Sequence, residues 1–245
     1  MKISTTQLLT LLATLLTLTV NTLANALPLN NQTTGEISDR FTALFVPAGY
    51  VFSIWGLIYI GLLAYTVHQA LPAQRDSATL NRIAPAYWIA SLANSIWIFL
   101  WHYEFFVQTL AAMLTLLAAL IYIYRQISAA GDVSAWFVRH PFSDYLGWIS
   151  VATIANFAQV LTLYGWGRST AASVTWAVIM IAVAALLGLA MRRRENDLAY
   201  GLVLIWALAG IAVKQADIFP VALAAWGAVG VLAAGAVVIP LLKPR

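Results

Sequence analysis

Eight long stretches without a single Asp, Glu, Lys or Arg limit what this chain can fold into. They cover residues 3–35, 41–74, 83–103, 105–124, 145–167, 169–191, 198–213 and 218–242. A helix of about 20 apolar residues is long enough to cross the hydrocarbon core of a bilayer. Charged residues make up only 9% of the chain, against about 25% of a typical soluble domain. These values exclude a water-soluble globule and indicate an integral membrane protein.

We predict one membrane-spanning helix in each stretch. The predicted spans lie near residues 6–27, 48–70, 84–103, 105–125, 142–164, 170–191, 197–215 and 220–241. Pro47, Pro85, Pro141 and Pro220 should fall at helix starts, where a missing N–H group costs little. The seventh span has the shortest uncharged core and needs the aliphatic part of Lys214 to reach the interface. The predicted fold class is all-α, a polytopic membrane helix bundle of about eight transmembrane helices.

The basic residues predict how these spans are oriented. With the N-terminus inside, ten Lys and Arg residues fall on the inner side, and Arg40, Arg168 and Lys214 fall on the outer side. Cytoplasmic loops of membrane proteins carry an excess of such residues. We therefore expect a protein of the bacterial plasma membrane, with both termini cytoplasmic and loop 28–47 outside.

Two segments have alternative interpretations. Lys2, the apolar run 8–20 and the small residues at 24–26 match the layout of a cleavable signal peptide. The segment 5–27 is also long enough to cross a bilayer, which favours a retained helix. Loop 28–47 is unusually long for this chain, so it is either a lid over a binding site or a plain solvated linker.

Several kinds of chemistry are not supported by the sequence. The chain has no cysteine, and therefore no disulfide or thiolate metal site. His68 and His140 belong to inner span ends and His102 to an outer one, so the three cannot share a metal ion. Acidic residues are confined to connections and span ends, unlike those of ion-coupled pumps. We therefore expect no metal and no cofactor. We also expect no nucleic acid partner, since the longest basic run is only 192–194.

Tryptophan and amide side chains are the candidates for a binding site. Trp88, Trp101, Trp136 and Trp166 fall near predicted interfaces, where aromatic residues anchor helices. Trp55 and Trp97 lie deeper, and either line an apolar pocket or pack between helices. The polar residues within the spans either hydrogen-bond between helices or face a ligand. They are Asn21, Asn25, Asn94, Ser95, Asn156 and Gln159.

Three sequence blocks resemble a known family. Residues 47–59, Pro-Ala-Gly-Tyr-Val-Phe-Ser-Ile-Trp-Gly-Leu-Ile-Tyr, resemble a segment that opens the second helix of the TspO/MBR family, the tryptophan-rich sensory or translocator proteins. Residues 94–97, Asn-Ser-Ile-Trp, resemble the Leu-Asn-x-x-Trp element of its third helix. Residues 141–157 resemble the pattern of its fifth helix, and the order of the blocks agrees.

The resemblance implies a fold and a site. Residues 1–165 would form a TspO-like five-helix core with lid loop 28–47, and residues 166–245 would add three transmembrane helices. The core would bind a hydrophobic ligand, a tetrapyrrole such as protoporphyrin or a sterol-like lipid. The ligand-binding residues carried over from the motifs are Trp55, Tyr59, Asn94, Trp97, Trp148 and Asn156.

The resemblance also implies a sensory or regulatory role. The alternatives are a transporter of such small hydrophobic molecules and a structural membrane partner without a ligand. Photochemical porphyrin breakdown is claimed for some relatives, which leaves an enzymatic activity open although no catalytic residues are expected. Membrane lipid and a second copy of the chain, as a homodimer, complete the set of partners that we consider.

Overall fold

The structure is a computed structural model that describes residues 3–131, 133–167 and 170–242. Lys2, Arg168, Lys243 and Arg245, which contribute to the predicted charge bias, lie outside these ranges. Within them the chain forms nine α-helices and no β-strand. The helices are α1 (Thr5–Ala26), α2 (Thr34–Asp39), α3 (Ile54–Ala70), α4 (Ala78–His102), α5 (Phe106–Ala129), α6 (His140–Leu163), α7 (Thr170–Glu195), α8 (Ala199–Lys214) and α9 (Phe219–Leu241).

The predicted class of polytopic helical membrane protein is confirmed. Seven helical segments are long and apolar enough to cross a membrane. They are Thr5–Ala26, Gly49–Ala70, Ala78–His102, Phe106–Ala129, Ala135–Leu163, Thr170–Glu195 and Phe219–Leu241. At the seventh predicted span lies α8, which is apolar but has only 16 residues. Its length of about 24 Å falls short of a hydrocarbon core of about 30 Å.

The predicted start of the third span was wrong. Pro85 lies inside α4, which begins seven residues earlier, at Ala78. The Ser77 hydroxyl accepts a hydrogen bond from the Leu80 amide at 3.3 Å and caps the helix there. A capped first turn therefore fixes the helix start, and the helix continues past a proline in its second turn.

The first compact unit comprises Met1–Ile37 and Trp55–Ile149. It contains α1, α3, α4, α5 and the beginning of α6, with α4 in contact with both α1 and α5. The buried face of α1 carries polar side chains, and leucines cover its exposed face. This arrangement inverts that of a helix in water, because lipid surrounds the bundle and polar groups must find partners inside it. The buried residues are Gln7, Thr10, Ala13, Thr14, Thr17, Asn21 and Ala24.

Hydrogen bonds to the neighbouring helices engage several groups of this polar face. The Thr14 hydroxyl lies 2.6 Å from that of Thr66 on α3 and 2.7 Å from that of Tyr87 on α4. Nearer the start of α1, the Gln7 amide donates to the Gln69 carbonyl at 2.8 Å. These bonds fix α1 against α3 and α4.

The second compact unit comprises Ser38–Ile54 and Ser150–Arg245. Its helices α7, α8 and α9 contact one another. Glycines permit the close approach of α7 and α9: a Cβ atom on Gly188 would lie 2.6 Å from the Leu232 side chain, and one on Gly235 would lie 2.5 Å from that of Leu189. The predicted division into 1–165 and 166–245 rests on family resemblance rather than packing, and it stays a prediction.

Loop 28–47 has local structure. At its short helix α2, the amide and hydroxyl of Thr33 donate to the Glu36 carboxylate at 2.7 Å and 2.9 Å. These bonds hold the pKa of that carboxyl below its ordinary value. Ile37, Phe45 and Val46 are buried. The loop is therefore not a solvated linker along its whole length, whereas its use as a lid stays a prediction.

Candidate functional site

An aromatic cluster in the first unit contains three of the residues that the resemblance singled out. Trp55, in the first turn of α3, stacks on Tyr59 with 5.5 Å between ring centroids, because residues four apart share a helix face. The same indole meets the edges of two rings from α6, Tyr145 at 5.9 Å and Trp148 at 6.1 Å. We call Trp55, Tyr59, Tyr145 and Trp148 the aromatic cluster.

The aromatic cluster has a buried side and a more accessible side. Tyr145 and Trp148 are 1% and 2% exposed, whereas Trp55 and Tyr59 are half-buried. Edge-to-face and offset arrangements of this kind are favourable for aromatic rings. A close contact of α3 with α6 supports them, since a Cβ atom on Gly61 would lie 3.2 Å from the Pro141 ring. Flat apolar surface is thus available on Trp55 and Tyr59, backed by buried rings.

Tyr145 is the member of the cluster that the sequence did not single out. It lies three residues before Trp148, a spacing that places both rings on one face of α6. That spacing is a signal the sequence contains, but it is equally common in ordinary helix packing. The contact with Trp55 is what adds Tyr145 to the aromatic cluster.

Asn94 takes part in an interhelical hydrogen bond. The Asn21 side-chain amide on α1 donates to Asn94 Oδ1 on α4 at 2.6 Å and to the Thr17 carbonyl at 2.8 Å. Asn94 is 1% exposed. Of the two interpretations given to these amides, interhelical bonding is therefore observed, and contact of Asn94 with a ligand stays a prediction.

Trp97 lies in a second group of rings. Its half-buried indole stacks on Trp101 at 5.2 Å, with 15° between the planes. The Trp101 indole N–H donates to the carbonyl of Thr34 at 3.2 Å, which ties α4 to the start of α2. The expectation that Trp101 anchors the helix in the interface was wrong, because the ring is 2% exposed. Its N–H group finds a backbone partner in the loop instead of water.

Asn156 lies in the second unit, on the part of α6 that begins at Ser150. It is 2% exposed. One turn further along, the Gln159 amide donates to the Ser38 hydroxyl at 2.8 Å, which joins α6 to the loop segment of the same unit. The structure thus gathers Trp55, Tyr59 and Trp148 in one cluster. It places Trp97 beside Trp101 and bonds Asn94 to Asn21.

Each of the three histidines contacts a different partner. His68 stacks on Phe137 at 5.2 Å, and His140 lies 5.1 Å from the Trp136 ring. His102 is buried, with Nδ1 2.8 Å from the Ile98 carbonyl oxygen. Across residues 3–131, 133–167 and 170–242, no group of three or more His, Asp or Glu residues could hold a metal ion.

The loop segment 38–54 is anchored on α8, which the sequence did not indicate. The Ala48 amide donates to the Gly210 carbonyl at 3.1 Å. The Gln215 side chain donates to the Leu44 carbonyl at 3.2 Å, and Lys214 Nζ lies 2.5 Å from Asp39 Oδ1. Gly210 makes this approach feasible, because a Cβ atom there would lie 2.1 Å from the Val51 side chain.

Comparison with known proteins gives a family. The sequence model of the family described as TSPO-like protein matches residues 7–238. No curated protein and no solved structure matches the chain. The match extends beyond the motifs of residues 1–165 and includes α7, α8 and nearly all of α9. Because it covers most of the chain, and because the described residues form an apolar helical bundle, this protein belongs to the TSPO-like family.

Proposed function

We propose that this TSPO-like membrane protein binds a flat or bulky hydrophobic molecule, a tetrapyrrole or a sterol-like lipid, among the helices of its first unit. The observation that carries the proposal is the aromatic cluster. Its Trp55 and Tyr59 rings are half-buried, and buried Tyr145 and Trp148 hold the Trp55 ring from the side. Preorganised aromatic surface is typical of sites for apolar ligands. The role is sensory or regulatory.

The stacked pair Trp97 and Trp101, near the C-terminal end of α4, supports the same proposal. Trp97 offers a half-buried face, and the bond from Trp101 to Thr34 couples this pair to α2. A ligand that stacks on Trp97 would therefore act on a helical segment of loop 28–47. This coupling supplies a route from binding to a change in the loop, as a sensor requires.

The second candidate function is transport of such a molecule. The observation that favours it is the polar buried face of α1, which continues from Gln7 near the start of the helix to Asn21 in its last third. Polar side chains inside a membrane are costly, so they mark substrate pathways as well as helix contacts. A third candidate, a structural membrane partner without a ligand, predicts neither binding nor flux.

The test is a tryptophan-fluorescence quenching screen of the purified full-length protein against protoporphyrin, haem and sterols. Saturable quenching by one class supports binding, and flux of that molecule in proteoliposomes assigns transport. Trp55→Phe should weaken binding, whereas Trp226→Phe on α9 is the matched control, because its ring is 51% exposed and lies in the second unit. Failure of every probe to saturate the native protein would overturn the proposal.

We also infer that both termini are cytoplasmic in a bacterial plasma membrane. The Asp39–Lys214 ion pair supports this topology, because it joins the first long loop to the far end of α8. In an eight-span chain both of these positions lie on the outer side. The bias of ten inner to three outer basic residues then sets the orientation.

A further inference from the structure

Three arginines of the first unit lie together near the C-terminal end of α5. Arg125 is on α5 itself. Arg82 reaches the same part of α5 from α4, and its Nη1 donates to the Gln126 side-chain oxygen at 3.4 Å. Arg139 reaches it from the segment before α6, and its Nη2 lies 3.5 Å from the Tyr124 hydroxyl. Since the two partners flank Arg125 in the sequence, all three guanidinium groups belong to one end of the helix bundle.

Two of these arginines have no carboxylate partner. Arg82 and Arg125 are exposed, and the Gln126 amide that Arg82 contacts is neutral. Within the part of the chain that the structure describes, neither arginine forms an ion pair. A guanidinium group is planar and donates parallel hydrogen bonds that match a phosphate group. This end of α5 therefore offers positive charge and donors of the kind that a phosphate anion requires.

The arginines lie at the level of the lipid headgroups. The three consecutive spans that carry them are Ala78–His102, Phe106–Ala129 and Ala135–Leu163. Consecutive spans run in opposite directions, so the start of the first, the end of the second and the start of the third share one side of the membrane. Each arginine is four residues from that end of its span, or about 6 Å along a helix axis. A long arginine side chain extends over that distance to the headgroups.

Aromatic rings accompany the arginines at this level. On the short π-helical turn Ala135–Arg139, Trp136 is 78% exposed and Phe137 is 48% exposed. His140 lies 5.1 Å from the Trp136 ring, and His68 stacks on Phe137 at 5.2 Å. Exposed tryptophans are enriched at membrane interfaces, where the ring meets the headgroup region of the bilayer. An anion held by the arginines therefore lies beside apolar surface that suits the rest of a lipid molecule.

We propose that this end of α5 binds the headgroup of an anionic phospholipid. Arg82, Arg125 and Arg139 hold the phosphate and balance its negative charge, and the rings before α6 contact the glycerol and the upper part of the acyl chains. Basic clusters at the cytoplasmic ends of transmembrane helices are typical sites for anionic lipids. In the topology that we infer, this is the cytoplasmic side. A free phosphate ion would leave the exposed rings unused, so the surface favours a lipid.

This lipid site is separate from the site proposed for the hydrophobic ligand. Trp55 lies in the first turn of α3, and the spans of α3 and α4 are joined at the end of α3 and the start of α4. The aromatic cluster and the arginines therefore lie at opposite ends of the bundle, and one site can exist without the other.

The experiment compares dioleoyl phosphatidylglycerol with dioleoyl phosphatidylcholine. The two lipids have the same acyl chains and a phosphate group, but only the first has a net negative charge. Native mass spectrometry of the full-length protein in detergent, titrated with an equal mixture, measures which lipid is retained first. The native protein should retain phosphatidylglycerol. Arg82→Gln and Arg125→Gln should each weaken its binding about 5-fold, whereas Arg82→Lys, which keeps the charge without the planar fork, should lose less.

Arg75→Gln is the matched control, because it removes the same charge from an exposed arginine in the connection before α4. It should change phosphatidylglycerol binding less than about twofold. Equal losses for Arg75→Gln, Arg82→Gln and Arg125→Gln would show only diffuse attraction between charges and would overturn the site. Equal retention of the two lipids by the native protein would overturn it as well. Thermal melts verify that the variants are folded.

Two further measurements separate a lipid from a free phosphate. Trp136→Ala should weaken retention of phosphatidylglycerol about 2- to 13-fold, because it removes an aromatic contact. An excess of glycerol phosphate, which has the phosphate without acyl chains, should not displace the lipid from the native protein. Displacement by glycerol phosphate, or retention that is unaffected by Trp136→Ala, would overturn the assignment to a lipid.

Discussion

The indole N–H of Trp206 on α8 donates a hydrogen bond to the carbonyl oxygen of Val51, 155 residues earlier in the chain, at 3.0 Å. Tyr50 adds an edge-to-face contact with the same ring at 5.5 Å. Together with the bond from the Ala48 amide to the Gly210 carbonyl and the bond from Gln215 to the Leu44 carbonyl, this contact anchors segment 38–54 on α8. The C-terminal helices therefore contribute to the placement of the loop that the resemblance identifies as a lid.

Replacing Trp206 with Phe should loosen this segment without removing the aromatic contact to Tyr50. The lost hydrogen bond should cost about 1 kcal/mol. Hydrogen exchange of residues 38–53 should become faster in Trp206→Phe. Trp226→Phe, in which a more exposed ring on α9 is changed, should leave that exchange as in the native protein, and equal protection in both variants would contradict the anchor.

Gly210→Ala should destabilise the second unit. The new Cβ atom would lie 2.1 Å from Val51 Cγ2 and 3.3 Å from Pro47 Cβ, so the loop must move. Overpacking of this kind costs about 1–3 kcal/mol. Gly227→Ala on α9 is the matched control, because nothing lies within 4 Å of its Cβ position. Thermal unfolding in detergent should show a lower Tm for Gly210→Ala only, and equal Tm values would disprove the close approach.

Asn94→Leu should lower stability, and an unchanged ligand affinity would assign this amide to interhelical bonding alone. The substitution keeps volume but removes the acceptor of the 2.6 Å bond from Asn21. Interhelical hydrogen bonds in membranes contribute about 0.6 kcal/mol on average and up to about 1.7 kcal/mol. A double-mutant cycle with Asn21→Leu isolates this coupling. Loss of affinity with an unchanged Tm would show instead that Asn94 faces the ligand.

Trp55→Ala and Trp97→Ala should both weaken ligand binding. Removing an aromatic contact of this size costs about 1–3 kcal/mol, or about 5- to 150-fold in affinity. The conservative change Trp97→Phe should lose less. Trp226→Ala should leave affinity within about twofold, measured by protoporphyrin quenching. Equal losses for the three Ala variants would mean that the pocket is misplaced and that these rings only pack.

Reporter fusions test the topology. A fusion at Gly35 should report the outer side and a fusion at Arg245 the inner side, because loop 28–47 and the C-terminus are separated by seven predicted spans. The test depends most on α8, because its 16 residues are fewer than the about 20 that cross the hydrocarbon core of a bilayer. Finding both reporters on one side would reject the eight-span arrangement.

The sequence alone determined the membrane class and the positions of the long helices. The uncharged stretches located the seven long helices and the short α8. A chain in lipid cannot place Lys, Arg, Asp or Glu freely along a helix, so charges mark its ends. The motifs around Trp55, Asn94 and Trp148 determined the family resemblance, which the family match confirmed. The uncharged stretches and the motifs each lie within a short part of the chain, so they can be recognised without knowing how the helices pack.

The tertiary structure decided which of those residues meet. Asn21 and Asn94 lie 73 positions apart, and Trp206 and Val51 lie 155 apart. Such pairs depend on how helices pack, and lipid provides no hydrophobic pattern that would distinguish one apolar helix face from another. The same reason explains the burial of Trp101 and the role of Tyr145. An aromatic residue within a span can face lipid, a helix or a pocket with the same local sequence, and only its neighbours in space separate these cases.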